Sequence, residues 1–184
     1  MDIHEARRYA EQNYKEMVRN FPAFLKKGEA KLFKNLKKIH KPAIIKLKKL
    51  YVFMDQFYDH VNKYTPCQKA CSECCFYQVS VSGIEILLIE NTYKIKRKKV
   101  VIPLEINQGT PCCFLRNNLC LIYDARPFVC RRHIILAADN GWCPHYCGHK
   151  FPMLSFSEID RSYELILQES KSIELYDIRE IFQF

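Results

Sequence analysis

The sequence predicts a mainly helical α+β protein in which N- and C-terminal helices enclose a cysteine-rich centre built on short strands and a hairpin. Three observations lead there. Stretches before residue 62 repeat apolar residues every three or four positions, the middle of the chain breaks into short runs between turn residues, and ten cysteines fall between Cys67 and Cys147. The length, 184 residues, suits one domain of ordinary size or a compact domain with a helical extension. On the second division residues 1–64 form the helical layer and residues 65–184 the cysteine-bearing domain with its closing helix.

Asp2 and Glu5 stand at capping-box spacing, and Ala6, Ala10, Tyr14, Met17 and Phe21 then follow helical periodicity toward Pro22. A second helix is expected from near Glu29. It carries Leu32, Phe33, Leu36 and Ile39 on one side and Lys31, Lys34, Lys37 and Lys38 on the other, until Pro42 interrupts it. Beyond that proline Ile44, Leu47, Tyr51, Met54, Tyr58 and Val61 step by three and four, and Leu50, Phe53 and Phe57 widen the stripe. This third helix should be the most buried in the protein.

Thr65-Pro66 ends the helical layer and delivers the chain to the first cysteines. Phe76 to Val81 alternates as a short strand, and Ser82 with Glu85 forms a capping box that opens a helix through Ile86, Leu87 and Ile89. Val100 to Ile102, closed by Pro103, reads as another strand, and Asn107-Gln108-Gly109 as a turn. Pro111 to Leu115 and Leu119 to Tyr123 flank Arg116-Asn117-Asn118, a hairpin that would bring Cys112 and Cys120 together. Asp124 to His133 reads as a turn into a short helix bearing Cys130. Asn140 to Lys150 is irregular and gathers Cys143, His145, Cys147 and His149. Ser155 and Glu158 make a further capping box, after which Ile159, Tyr163, Ile166 and Ile173 line one side of the closing helix, and Leu175 to Phe184 docks a short helical turn.

Composition narrows the function. The five glycines are scattered, so no glycine-rich loop exists to cradle a phosphate, and no nucleotide cofactor is expected. Met1 to Asn20 is charged throughout, and no apolar run is long enough to cross a bilayer; a cytoplasmic protein with no transmembrane segment is expected. Disulfides rarely persist in that compartment, so the cysteines point to metal thiolates. A net charge of +9 suits an anionic partner, whether nucleic acid, an acidic protein or a membrane surface. Lys26 to Lys49 holds ten lysines against the single acid Glu29, which is either such a face or the solvated side of amphipathic helices.

Cys67-Gln68-Lys69-Ala70-Cys71-Ser72-Glu73-Cys74-Cys75 puts four thiols into nine residues. Thiolate sulfur binds zinc tetrahedrally and holds iron–sulfur clusters, usually four ligands to a site, so ten cysteines fill two such sites with two to spare. Adjacent cysteines such as Cys74 and Cys75 point apart and more easily serve two sites than chelate one ion. The C-x3-C-x2-C spacing of Cys67, Cys71 and Cys74 also invites comparison with radical S-adenosylmethionine enzymes. That class is excluded because Glu73 precedes the third cysteine where an aromatic is needed, and neither the glycine-rich segment nor a run of strand–helix repeats is present.

Cys67-x3-Cys71-x2-Cys74-Cys75, the Ser82/Glu85 helix start, Pro111-Cys112-x-Phe114-Leu115 and Cys120-x-Ile122-Tyr123-x2-Arg126-Pro127-x2-Cys130-Arg131 together resemble the YkgJ-type cysteine-cluster family of zinc- or iron-chelating proteins. The resemblance spans about residues 67 to 147. It implies metal ligands at Cys67, Cys71, Cys74, Cys75, Cys112, Cys120 and Cys130, with Cys143 or Cys147 completing the set. Cys113 stands where such proteins usually carry proline and reads as a small buried hydrophobe. A related cluster lies within flagellin lysine methylases, which are longer and imply an iron–sulfur centre there; no methylase activity carries over.

A four-thiolate site is negatively charged, so a nearby guanidinium lowers the cost of burying it; Arg126 and Arg131 are the candidates for that contact with the cofactor. His145 and His149 are alternative nitrogen ligands. Glu85 is first a cap and only second an acid, base or iron ligand. No serine–histidine–acid set, paired carboxylates or phosphate loop is present, so the sequence assigns no catalytic group. Two classes fit: a zinc- or iron-containing redox or protein-modification protein acting on another protein, and a non-enzymatic zinc-stabilised module whose lysine face binds an anionic partner.

Overall fold

The computed structural model describes residues 1–98, 109–143 and 156–182. Three helices open the chain: α1 (Ile3–Arg19), α2 (Ala23–Lys37) and α3 (Ala43–Val61). Asp2 caps α1 in the expected reciprocal arrangement with Glu5. Its buried line runs through Ala6, Ala10 and Met17, while Tyr14 is exposed and the inward place beside it goes to Asn13. Helix α2 begins at Ala23, six residues before the expected start, because Pro22 provides a fixed φ at the point of entry instead of a barrier. Gly28, inside α2, lets Phe53 of α3 pack against the helix backbone: a Cβ there would lie 2.8 Å from Phe53 Cε2.

Helix α3 is the buried spine, with Leu47, Leu50, Tyr51, Met54, Phe57, Tyr58 and Val61 all buried as the periodicity predicts. Phe57 takes Phe21 at 4.6 Å and Phe156 at 4.2 Å between ring centroids, which ties both ends of the chain to it. The later elements are β1 (Ser80–Ser82), α4 (Gly83–Tyr93), β2 (Leu115–Arg116), β3 (Leu119–Cys120), α5 (Phe128–Arg132), α6 (Ser157–Glu169), β4 (Leu175–Asp177) and α7 (Ile178–Ile181). Helix α6 packs on α2 and α3. One cluster of buried side chains runs from Ala6 in α1 to Phe182 beyond α7.

Two small antiparallel sheets complete a mainly helical α+β fold. In one, β1 pairs with β4 so that Val81 faces Tyr176; in the other, Leu115 faces Cys120. Asn117 and Asn118 both take positive φ, 49° and 60°, and make the tight turn of the expected hairpin. The strand read from Phe76 to Val81 is shorter and later than expected. Cys75 N–H donates to Ser72 O and Tyr77 N–H to Cys74 O, so turn bonds wind Glu73–Phe76 into a 3₁₀ helix and only Ser80 onward is free to pair. Ile173 lies past the end of α6 and is 68% exposed, not on the buried side of that helix. The C-terminal helical turn is present as α7, with β4 before it. The expected strand at Val100 to Ile102, Asn107 and Gln108 of the expected turn, and Ser155 of the expected cap lie outside the described residues.

Candidate metal centre

Eight thiols from five separate segments line one cavity of about 290 Å³: Cys67, Cys71, Cys74, Cys75, Cys112, Cys120, Cys130 and Cys143. Each is delivered by a traceable set of local bonds. Thr65 Oγ1 accepts from Cys67 N–H at 3.1 Å and donates to Ile135 O at 2.6 Å, fastening the first ligand loop to the segment that leads to Cys143. Asn13 of α1 donates to both Tyr64 O and Leu136 O, so the N-terminal helix holds those two segments together from behind. Cys112 N–H donates to Cys75 O at 2.7 Å, and Leu121 N–H to Phe114 O, which sets the hairpin and its two thiols against the first cluster. Between Cys67 and Cys71 the backbone turns through Ala70 at φ 77°, a left-handed conformation that costs about 1 kcal/mol for an alanine.

Cys130 is held by an all-polar hub. The Glu85 carboxyl is 1% exposed and accepts from five groups: Ser82 N–H, Ser82 Oγ, Tyr51 Oη, Tyr163 Oη and the Phe128 N–H that opens α5. The capping box of α4 is therefore also the N-terminal cap of α5 and the joint between α3 and α6. Burial, with the Glu85 charge next, drives the Tyr51 and Tyr163 hydroxyls well above the ordinary tyrosine range, so both stay protonated donors. On the far side, Arg179 and Asp177 form a buried pair, and Arg179 Nη1 reaches Thr110 O at 2.7 Å just before Pro111-Cys112.

The two arginines singled out by sequence differ in what surrounds them. Arg131 is 2% exposed, pairs with Asp55, donates to Arg126 O and Asp124 O, and lies over the Tyr51 ring at 4.3 Å. It lines the cavity as a clamp on the Tyr123–Cys130 segment. Arg126 covers the Tyr123 ring at 4.1 Å, and its buried Nε has no hydrogen-bond partner among the described residues. Its positive charge favours the thiolate of Cys74, after the larger effect of the Cys75 hydrogen bond, and at Cys120 and Cys130 it offsets only part of the rise that burial causes.

Burial raises the thiol pKa of Cys67, Cys71, Cys120, Cys130 and Cys143 above the ordinary value. Isolated thiolates are opposed there, and a cation that neutralised them would be correspondingly favoured. Cys74 runs the other way: the Cys75 thiol donates to it, Arg126 adds positive charge, and its pKa falls to about 7 while that of Cys75 is driven up. Cys112 is lowered in the same way by Cys113. Cys113 itself is absent from the cavity wall; it is half-buried, and its sulfur lies 3.8 Å from Ile178 O.

Among the described residues no three Cys, His, Asp or Glu side chains already stand in ligand geometry about one point. The structure gathers soft donors on a shared wall, where each thiol has one side-chain torsion through which to turn. The donor chemistry and the unpartnered Arg126 Nε fit a negatively charged metal–thiolate centre. Cys147, His145 and His149 lie outside the described residues.

The sequence reading missed Thr65, Asn13, Asp55 and Arg179, whose signal is only that of polar residues beside apolar ones. It also passed over His133. This residue lines both the main cavity and a second one of about 170 Å³ that also shares Cys74, Val79 and Cys130 with it, and its buried Nε2 has no hydrogen-bond partner among the described residues.

Residues 66–148 match the protein-family model CxxCxxCC, described as "Putative zinc- or iron-chelating domain". No curated protein and no solved structure matches the chain. No helix among the described residues is long and apolar enough to cross a membrane.

Proposed function

We propose, from the match of residues 66–148 to the CxxCxxCC family model, that the protein holds zinc or iron through cavity thiolates and serves in redox chemistry or modification of another protein. The observation that carries the reading is the convergence of eight thiols from five segments on one cavity, with an unpartnered guanidinium nitrogen in its wall. The ligands are Cys67, Cys71, Cys74, Cys75, Cys112, Cys120, Cys130 and Cys143, with Cys147 in reserve. A bound iron–sulfur cluster would supply one-electron chemistry, and a zinc ion Lewis acidity or structural closure. The chain's own residues gather the thiols, place Arg126 beside them and line part of the wall with the apolar side chains of Val79, Ile122, Ile134 and Ile178.

A second reading rests on a different surface. Nine of the ten lysines between Lys26 and Lys49 are exposed, Lys46 alone being buried against Glu169. A zinc-stabilised module would use that face to bind an anionic partner. Metal and acid-labile sulfide analysis on protein purified without oxygen and without added metal separates the two. Iron with sulfide, in a brown sample that bleaches on reduction, supports the redox reading. Stoichiometric zinc in a colourless sample overturns its iron form and directs attention to salt-dependent binding by the lysine face.

A further inference from the structure

We infer that His133 is a nitrogen ligand of the centre, acting with Cys74 and Cys130, in addition to the thiols that sequence and family indicate. The inference rests on the metal-binding reading above. Three observations carry it. First, His133 Nε2 is buried and has no hydrogen-bond partner among the described residues. A buried polar nitrogen left this way is destabilising, a penalty that metal ligation removes. Second, His133 follows Cys130 by three positions as the residue that closes α5, and its N–H still donates to Val129 O, so the two side chains leave the backbone within about one helical turn of each other. Third, the walls of both cavities share Cys74, Val79, Cys130 and His133, so the three donors stand side by side where the two cavities meet.

The surroundings suit a neutral imidazole. Tyr77 packs against the ring at 5.2 Å between centroids, and Tyr77, Val79 and Val129 form most of the remaining wall of the smaller cavity. Two thiolates and one imidazole are three protein ligands, the number that leaves a fourth position for an outside molecule in metal sites that do chemistry. The smaller cavity lies against this trio and is where such a molecule would arrive. Gln78 is the other polar side chain on its wall. No three donors among the described residues meet at one point in the structure, so closure on an ion would require Cys74, Cys130 and His133 to rotate about their side-chain torsions.

X-ray absorption at the edge of whichever metal the purified full-length protein carries tests the assignment. A first shell that includes nitrogen with sulfur, and that loses nitrogen in His133→Ala together with about 100-fold or more of metal affinity, is the expected result. A shell of sulfur alone, or a nitrogen contribution unchanged in His133→Ala, overturns it while leaving the thiolate centre standing. Protein that carries neither zinc nor iron removes the metal reading and this inference together. Should His133→Ala fail to fold, the unsubstituted protein loaded with ¹¹³Cd decides the matter: the His133 ¹⁵Nε2 resonance must show coupling to cadmium, and an uncoupled, unshifted resonance contradicts the assignment.

Discussion

Helices α1 to α3 and the thiol-bearing segments from Cys67 to Cys143 are held by different physics. In the first region Leu47, Leu50, Met54 and Phe57 are buried along a continuous stripe, and long helices satisfy their own backbone. In the second, strands are two or three residues long, helices other than α4 run five residues or fewer, and specific polar bonds from Thr65, Asn13, Glu85 and Arg131 fix the backbone. An apolar stripe tolerates small changes of shape, whereas a polar joint is either made or broken. The cysteine region thus depends on a few residues and on whatever neutralises its thiols.

The contrast is broken most severely at Glu85. Glu85→Ala leaves five donors without their acceptor, and we expect a loss of roughly 4 kcal/mol or more in urea unfolding, with Cys130 detached from the centre. Leu50→Ala tests the other side. It should cost about 3 kcal/mol through a cavity in the helical core, yet leave the metal-to-protein ratio unchanged on elemental analysis. Equal loss of metal in both variants would erase the distinction.

Arg126→Gln should act on the centre alone. Its guanidinium stabilises negative charge on Cys74, Cys120 and Cys130, so competition with a chelator should show metal retention weakened about 10- to 100-fold. The smallest effect expected is a difference of rate. With metal removed, Cys74 should be half ionised near pH 7, so its alkylation should accelerate as pH rises toward 7 and level off above it. Cys67 and Cys130, whose thiols are raised by burial, should still be accelerating at that point.

How much of this was legible in the sequence follows the same division. Periodicity in α3 and the paired side chains of Asp2 with Glu5 and Ser82 with Glu85 were readable because each is a local pattern with one structural solution. The hairpin was readable because Asn117 and Asn118 accept positive φ between apolar runs. The start of α2 was misplaced because a proline can open a helix as well as close one. The second role of Glu85, as cap of α5, was not legible: Phe128 is forty-three residues away, and nothing local to either residue announces the bond. Thiol convergence was implied by family resemblance, while Arg131's commitment to Asp55 and His133's bare Nε2 required the folded chain.

The central claim is that the cavity thiols act as one metal-binding set, and mass-spectrometric mapping of thiol alkylation before and after chelation tests it most directly. The account predicts that Cys67, Cys71, Cys74, Cys75, Cys112, Cys120, Cys130 and Cys143 are protected in the protein as purified and become reactive together when metal is removed, while the labelling rate of Cys113 stays the same. Labelling of the cavity cysteines at equal rates with and without the chelator would contradict it.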